Sequence, residues 1–192
     1  MKATILNGAL AGDDFVDVVG AALGEAMRDA GWDVTTWTLR EEKIAYCLGC
    51  FECWTKTPGL CRIHDEGRDV AAGIIAGDLI IYLTPVTFGG YSSALKQAVD
   101  RSICLISPFF KRIDGEVHHQ TRYQRYPALV GVGVLPEPHP AQERLFATLI
   151  GRNAINLHAP QHESVVIYRS QEPSTAAAAL AGIYPFESRV PA

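Results

Sequence analysis

Four cysteines, Cys47, Cys50, Cys53 and Cys61, stand in a C-x2-C-x2-C-x7-C pattern that no other stretch of the chain approaches in constraint. Thiolates two residues apart curl a loop around one centre while a fourth ligand arrives from further along, which is how cysteine runs hold an iron-sulfur cubane. The same residue types serve two other chemistries. Four thiolates satisfy tetrahedral zinc, and neighbouring thiols of lowered pKa exchange disulfides. The middle cysteine shared by both short spacings is more cubane-like than zinc-like, but zinc, thiol redox and plain packing stay open. Phe51 and Trp54 offer apolar cover, and Gly49 and Gly59 offer turns. Cys104 lies apart in the sequence.

A loop of this kind needs a scaffold, and the composition supplies one. With 192 residues, 48% hydrophobic and 20% charged, the chain predicts one compact domain over 1–192 that buries its core without covalent staples. A formal net charge of -4 argues against nucleic acid as a partner, because such binders concentrate Lys and Arg on one face. The opening apolar run is too short for a signal-peptide core, and no segment reaches the ~18 apolar residues of a membrane span. The expectation is a cytoplasmic protein without a membrane partner, in a reducing compartment where clustered cysteines mean metal or redox chemistry rather than a structural disulfide.

Hydrophobic patterning predicts strands over 2–6, 32–39, 78–83, 128–135 and 164–168, the third reading as a strand covered on both faces. Helices are expected from Phe15 through Met27, through Val70, Ile74 and Ile75, along Leu95, Val99 and Ile103, over 141–150, and over 176–180. Asp13 or Asp14 is placed to cap the first helix and Ser92 or Ser93 the third. The cysteine-rich loop occupies about 40–64. Residues 105–126, polar and aromatic without clear periodicity, are read as a surface excursion, functional or in contact with a second subunit. Five strands alternating with helices imply an α/β, doubly wound, five-stranded parallel sheet with helices on both faces. Ligands of such sheets bind beyond the carboxyl ends of the strands, which draws attention to the loops beginning near Asn7, Arg40, Thr84 and Leu135.

The run Thr84-Pro85-Val86-Thr87-Phe88-Gly89-Gly90-Tyr91-Ser92-Ser93-Ala94-Leu95-Lys96-Gln97-Ala98-Val99-Asp100-Arg101 resembles the signature of the flavodoxin-like NAD(P)H-dependent FMN reductases. Cys47, Cys50, Cys53 and Trp54 with Cys61 and Asp65 resemble the iron-sulfur flavoprotein branch of that superfamily. The resemblance covers residues 1 to about 104 and fades afterwards. It implies a flavodoxin-like fold and FMN at the carboxyl edge of the sheet. Its ring would lie against Pro85, Val86, Thr87, Phe88, Gly89 and Gly90. It further implies NAD(P)H as electron donor, and a [4Fe-4S] cluster on Cys47, Cys50, Cys53 and Cys61 exchanging single electrons with the flavin. A small acceptor or a redox protein would take the electrons, and a homodimer or homotetramer would complete the pocket. The physics agrees with a flat ring at this loop: glycines permit close backbone approach, Pro85 stiffens the turn, and Phe88 or Tyr91 supplies an aromatic wall. No general-base residue is assigned, because the cofactors carry the chemistry.

The first loop departs from that pattern. Where the resembled proteins show hydroxyls and a cation for the FMN phosphate, this chain has Asn7-Gly8-Ala9-Leu10-Ala11-Gly12-Asp13-Asp14. The candidate phosphate residues are Gly8, Ala9, Leu10 and Gly12, acting through backbone amides at a helix start. Two carboxylates there suit the helix dipole but repel a dianion. The competing reading is therefore a non-catalytic protein on the same fold, with a degenerate phosphate loop and a metal-binding or redox-sensing cysteine module. Other residues carry weaker signals. His64, His118 and His119 read as solvated. Glu137 and His139, in a proline-rich turn, read as bordering a ligand or stiffening a connection. Tyr123, Arg125 and Tyr126 read as a nicotinamide-phosphate cluster or a subunit contact, and Lys96, Asp100 and Arg101 as fixing a helix and its surface.

Overall fold

In the computed structural model, which describes residues 1–183, the chain runs β1 (Lys2–Asn7), α1 (Asp14–Asp29), β2 (Asp33–Thr38), α2 (Glu52–Thr55), α3 (Gly67–Ala76), β3 (Leu79–Pro85) and α4 (Ser93–Arg101). A 3-10 turn (Ser102–Leu105) then leads to β4 (Ile106–Ile113), β5 (Glu116–Thr121), β6 (Ala128–Leu135), α5 (Pro140–Leu157), β7 (His162–Tyr168) and α6 (Ser174–Ile183). The main sheet has the order β2-β1-β3-β6-β7 with every pairing parallel, the doubly wound sheet the alternating pattern implies and the flavodoxin-like order the resemblance implies.

Alternation within β3 shows why helices must lie on both faces. Leu79, Ile81 and Leu83 pack with Val16, Val19, Leu23 and Met27 of α1 on one side. Ile80 and Tyr82 pack with α3, α4 and α5 on the other. Phe146 of α5, wholly buried there, contributes roughly 1.5–3 kcal/mol by leaving water. Among the described residues, no helix is long and apolar enough to cross a membrane.

The excursion expected at 105–126 is instead mostly a β-hairpin: β4 and β5 pair antiparallel as a separate two-stranded sheet. Asp114 and Gly115 turn it with φ 49° and 86°, a two-residue Asp-Gly connection of the kind that favours type I′ turns. The register slips between Ile106 and Phe110, which is why the alternation is hard to see in sequence. Tyr126 pins the hairpin's return: its hydroxyl donates to the Leu105 carbonyl at 2.6 Å and accepts the Arg122 amide at 2.8 Å. Two helices also differ from expectation. The 3-10 turn replaces the last turn foreseen for α4, and α5 runs to Leu157 rather than Ile150.

Candidate functional site

Two groups of side chains stand out, one where the strands end and one at the far end of α4. At the carboxyl ends, the β1 and β3 loops are tied together. The Gly8 amide donates to the Leu83 carbonyl at 2.8 Å, and the Ser92 hydroxyl donates to the Gly8 carbonyl at 2.6 Å while accepting the Leu95 amide that it caps. A Cβ at Gly8 would stand 2.8 Å from Leu95 Cβ. The Ala9 amide is engaged by the Asn7 side chain at 2.9 Å. Of the four candidate phosphate residues, Gly8 and Ala9 thus have no amide to offer. Among the described residues, the amides of Leu10 and Gly12 donate to no protein acceptor.

Asp13 occupies the N-cap position of α1 but makes no side-chain cap, contrary to the expected role. Its carboxylate is drawn to Arg169, just past β7, at 2.7 Å, and that arginine also lies over the Phe15 ring. Burial is tolerable because the charges pair, although Asp13 Oδ1 is left without a partner. The pairing raises the Arg169 pKa, chiefly through the hydrogen bond that Arg169 donates to Asp13. Asp17, one turn on, is held by Arg40 and Asn7, each at 2.8 Å. The first loop therefore does have cations beside it, supplied by the ends of β2 and β7.

After β3 the chain makes a two-residue hairpin turn in which Thr87 and Gly90 exchange both backbone hydrogen bonds. Phe88 and Gly89 both have positive φ, 51° and 78°. The Phe88 side chain is 92% exposed, so no packing compensates for an aromatic residue held in the left-handed region. Gly89 is required twice over: by its φ, and because a Cβ would come within 2.6 Å of Leu145 Cβ. Leu145 of α5 thus covers the place where close approach of a ring was expected at Gly89. Tyr91 is no aromatic wall for a ligand either. It is packed edge-on between Tyr82 and Phe146, accepts from Asn153, and its pKa is raised strongly by burial. Val86 is buried, with its amide on the Val134 carbonyl.

The loop after β6 closes the same edge. His139 caps α5 by accepting the Gln142 amide at 3.4 Å, Glu143 reaches back to the His139 amide at 2.8 Å, and Gln142 accepts the Gly89 amide at 3.2 Å.

The cysteine loop leaves β2 at this edge, with the Leu39 amide on the Asn7 carbonyl, but it carries the thiols along α4. Gln97 donates to the Ile44 carbonyl, and Arg101 to the Ala45 carbonyl at 2.8 Å. Ser93 and Arg101 are the two ends of α4, separated by about 12 Å at 1.5 Å per residue. The thiols are therefore set back from the Pro85 to Gly90 loop by roughly the length of that helix.

All four motif cysteines line one small cavity of about 40 Å³ together with Phe51, Arg101 and Ile103. Phe51 takes φ 55° to start α2, and Gly49 takes φ 61°, so the loop reverses sharply between the first three thiols. Trp54 anchors it by donating to the Ile103 carbonyl at 3.1 Å, stacking on Phe51 and packing at a tilt against His119. Cys53 is buried, Cys61 half-buried, and Cys47 and Cys50 are exposed. Burial first, then the charges of Cys61, Cys47 and Cys50, raise the Cys53 pKa. Cys104, distant in sequence, lies against the same group, and burial pushes it up to about 11. As the side chains lie, no group of three Cys, His, Asp or Glu among the described residues is set to hold a metal ion. The donor set and its apolar cavity fit an iron-sulfur centre in kind.

The remaining candidates have structural partners. His118 is buried between Asn156 and Glu116 rather than solvated, and His119 packs between the Trp54 and Phe110 rings. Arg125 pairs with Asp78 and Tyr126 is buried, so Tyr123, Arg125 and Tyr126 form no anion cluster. Lys96 pairs with Asp100 one turn along α4, as a helix-surface role requires. Residues that sequence reasoning did not connect are Arg169 with Asp13, and Arg101 with Asp65. Asp65 is quoted in the cysteine motif and Arg101 in the α4 motif, but their pairing has no local signal.

A parallel sheet in this order, with its loops gathered at the carboxyl ends and thiols along one flanking helix, defines a flavodoxin-like α/β protein. Residues 1–160 match the family described as NADPH-dependent FMN reductase. The chain belongs to that family. It is 32% identical over 106 residues to the iron-sulfur flavoprotein of Methanosarcina thermophila, a match covering 55% of this chain and 54% of that protein. A second iron-sulfur flavoprotein, from Archaeoglobus fulgidus, is 30% identical over 98 residues, 50% of this chain and 49% of that one. These matches span about half the length of either relative.

Among solved structures, the NAD(P)H:quinone oxidoreductase from Methanothermobacter marburgensis superposes with a TM-score of 0.70 at 11% identity, covering 93% of this chain and 96% of that one. An FMN-dependent NADH-azoreductase from Bacillus anthracis, in complex with FMN, gives 0.60 at 10% identity, covering 92% of each. At such identities the likeness concerns the fold.

Proposed function

We propose that this chain is an NAD(P)H-dependent flavin oxidoreductase that binds FMN at the carboxyl edge of its sheet and carries a [4Fe-4S] cluster on Cys47, Cys50, Cys53 and Cys61. The observation that carries the reading is the convergence of all four motif cysteines on one apolar-walled cavity, in a chain whose curated relatives are named iron-sulfur flavoproteins. FMN, when bound, accepts hydride from NAD(P)H and releases electrons in pairs or singly, and the cluster supplies one-electron transfer.

The protein's part is to bind and orient. The unengaged Leu10 and Gly12 amides lie just before the N-terminus of α1, whose dipole favours an anion, and Arg169 and Arg40 offset the carboxylates beside it. Phe88 presents an aromatic face at the tip of its turn. Pro85, Val86, Thr87, Gly89 and Gly90 fix that tip, with Gly89 anchored on α5. The electron acceptor is a small molecule or a redox protein, the working location is the cytoplasm, and a homodimer or homotetramer completes the flavin pocket.

One observation favours a second reading. Gly8 and Ala9 are closed to phosphate and Asp13 stands at the helix start, so a flavin-free metal or thiol redox module on this fold is the alternative. Absorbance of protein purified without oxygen separates them. Flavin bands in the blue together with a broad brown shoulder, and iron and sulfide in matching amounts, support the first reading. The brown shoulder alone supports the second. A protein that stays colourless after reconstitution with FMN, iron and sulfide sinks both cofactor assignments.

A further inference from the structure

We propose that Arg101 is a positioning residue for the cysteine site, its Nε–H donating to the Cys61 sulfur and its charge drawing the reduction potential of the bound centre upward. The inference rests on the cysteine loop being a metal site, as argued above, and concerns what tunes it. The Arg101 side chain is 2% exposed. Its Nη1 and Nη2 donate to the two oxygens of Asp65, both at 2.7 Å, and Nη1 also donates to the Ala45 carbonyl at 2.8 Å. Asp65 is fixed in turn by the amides of Ala45 at 2.8 Å and Gly67 at 3.2 Å. Gly67 lets the pair sit this close, since a Cβ there would be 3.1 Å from Arg101 Cζ.

A planar guanidinium held by two nitrogens has the direction of its third fixed as well. That third nitrogen, Nε, is buried and closes no hydrogen bond. A buried donor left open is costly, and the cavity that Arg101 lines is the one lined by the four motif sulfurs. Arg101 and Cys61 line the same cavity, which Asp65 does not. The Cys61 backbone is held by Arg68 at 2.7 Å. Hydrogen bonds to sulfur and local net charge are the levers by which a protein sets a cluster's potential, and this guanidinium presents both to the cavity while its counter-ion faces away.

The test compares Asp65→Asn, which keeps the guanidinium, with the double variant Asp65→Asn, Arg101→Gln, which replaces it by a neutral hydrogen-bonding side chain. Each protein is loaded with iron and sulfide without oxygen, and the midpoint potential is read by electron paramagnetic resonance. The single variant is expected at or above the wild-type potential. The double variant is expected about tenfold lower in its one-electron equilibrium, or ~59 mV. Equal midpoints in the two variants overturn the proposal. If the double variant does not fold, Arg101→Lys takes its place, keeping the charge but losing the Nε–H fork. A lowered potential supports the proposal and an unchanged one overturns it.

Cadmium titration of the metal-free proteins, followed by thiolate-to-metal absorbance, gives an independent reading. The double variant is expected to bind Cd²⁺ about tenfold more weakly than Asp65→Asn, and equal affinities overturn the role of Arg101. Wild-type protein that takes Cd²⁺ but no cluster removes the iron-sulfur assignment and leaves Arg101 to be judged by cadmium. Protein that takes neither removes the metal site and this inference together, while the flavin assignment stands on its own spectrum.

Discussion

Arg169 Nη2 lies 2.7 Å from Asp13 Oδ2, joining the end of β7 to the start of α1 across 156 positions of sequence. The pair decides what charge a phosphate meets at the first loop. With Asp13 present the guanidinium is occupied; with it removed, the same cation and the α1 dipole both face an incoming anion. Asp13→Asn is therefore expected to tighten FMN binding about tenfold, in line with the up to ~2 kcal/mol a partly buried charge at a helix end contributes. Arg169→Ala is expected to weaken it. Because Arg169 is 38% exposed, both effects shrink as salt is raised. Quenching of FMN fluorescence in titrations at low and high salt measures them, and an unchanged affinity in Asp13→Asn rejects phosphate repulsion as the reason for the altered loop.

Phe88 offers a different kind of test, because its conformation costs stability that no contact returns. A bulky side chain in the left-handed region is disfavoured by about 1–2 kcal/mol, and Phe88 at φ 51° is 92% exposed. Phe88→Asn, a residue that tolerates this region, is expected to raise the melting temperature slightly while lowering flavin affinity or NAD(P)H turnover. Gly89→Ala, with φ 78° and Leu145 Cβ at 2.6 Å, is expected to lower stability by about 1–3 kcal/mol. A Phe88 variant that is both stabilised and fully active shows that the ring has no functional role.

Tyr126 was grouped by sequence with Tyr123 and Arg125 as an anion site, and its hydroxyl is instead the pin of the β4–β5 hairpin. Tyr126→Phe leaves the Leu105 carbonyl and the Arg122 amide without their partner. The expected loss is about 1–3 kcal/mol, the cost of leaving buried polar groups unsatisfied. NAD(P)H binding should be untouched. Denaturant unfolding followed beside nicotinamide affinity reads both, and loss of affinity without loss of stability restores the anion-site reading.

What sequence could and could not disclose follows from the range of the interactions involved. The three central strands were legible because a strand covered on both faces must be largely apolar, as Leu79 to Leu83 are, and β2 was legible by its β-prone alternation of Val34, Thr36 and Thr38. The cysteine spacing was legible because its chemistry is local. The hairpin escaped because Pro108 and the register slip after Ile106 break its alternation, although Asp114-Gly115 was the available turn signal. Arg101 with Asp65 and Arg169 with Asp13 escaped for another reason: nothing at either position encodes a partner 36 or 156 residues away. The fold brings each cation to a carboxylate, and both cations lie beside the candidate cofactor sites.

Acid provides the last test, through Asp65. Arg101's hydrogen bonds come first among the causes that hold its carboxyl below the usual carboxylate range, and the amides of Ala45 and Gly67 act in the same sense. Since the folded pKa is depressed, the folded state binds fewer protons there than the unfolded chain, whose Asp titrates near 3.9. The stabilisation is therefore complete above that unfolded value and is lost as pH falls through the lower folded one. Wild-type protein should lose stability steeply below about pH 4, and Asp65→Asn should start lower but decline less over the same interval. Melting temperatures from pH 3 to pH 7 distinguish this from general acid denaturation: parallel curves for the two proteins mean that other carboxylates set the acid limit and that the Arg101–Asp65 pair is bound no more tightly than a surface contact.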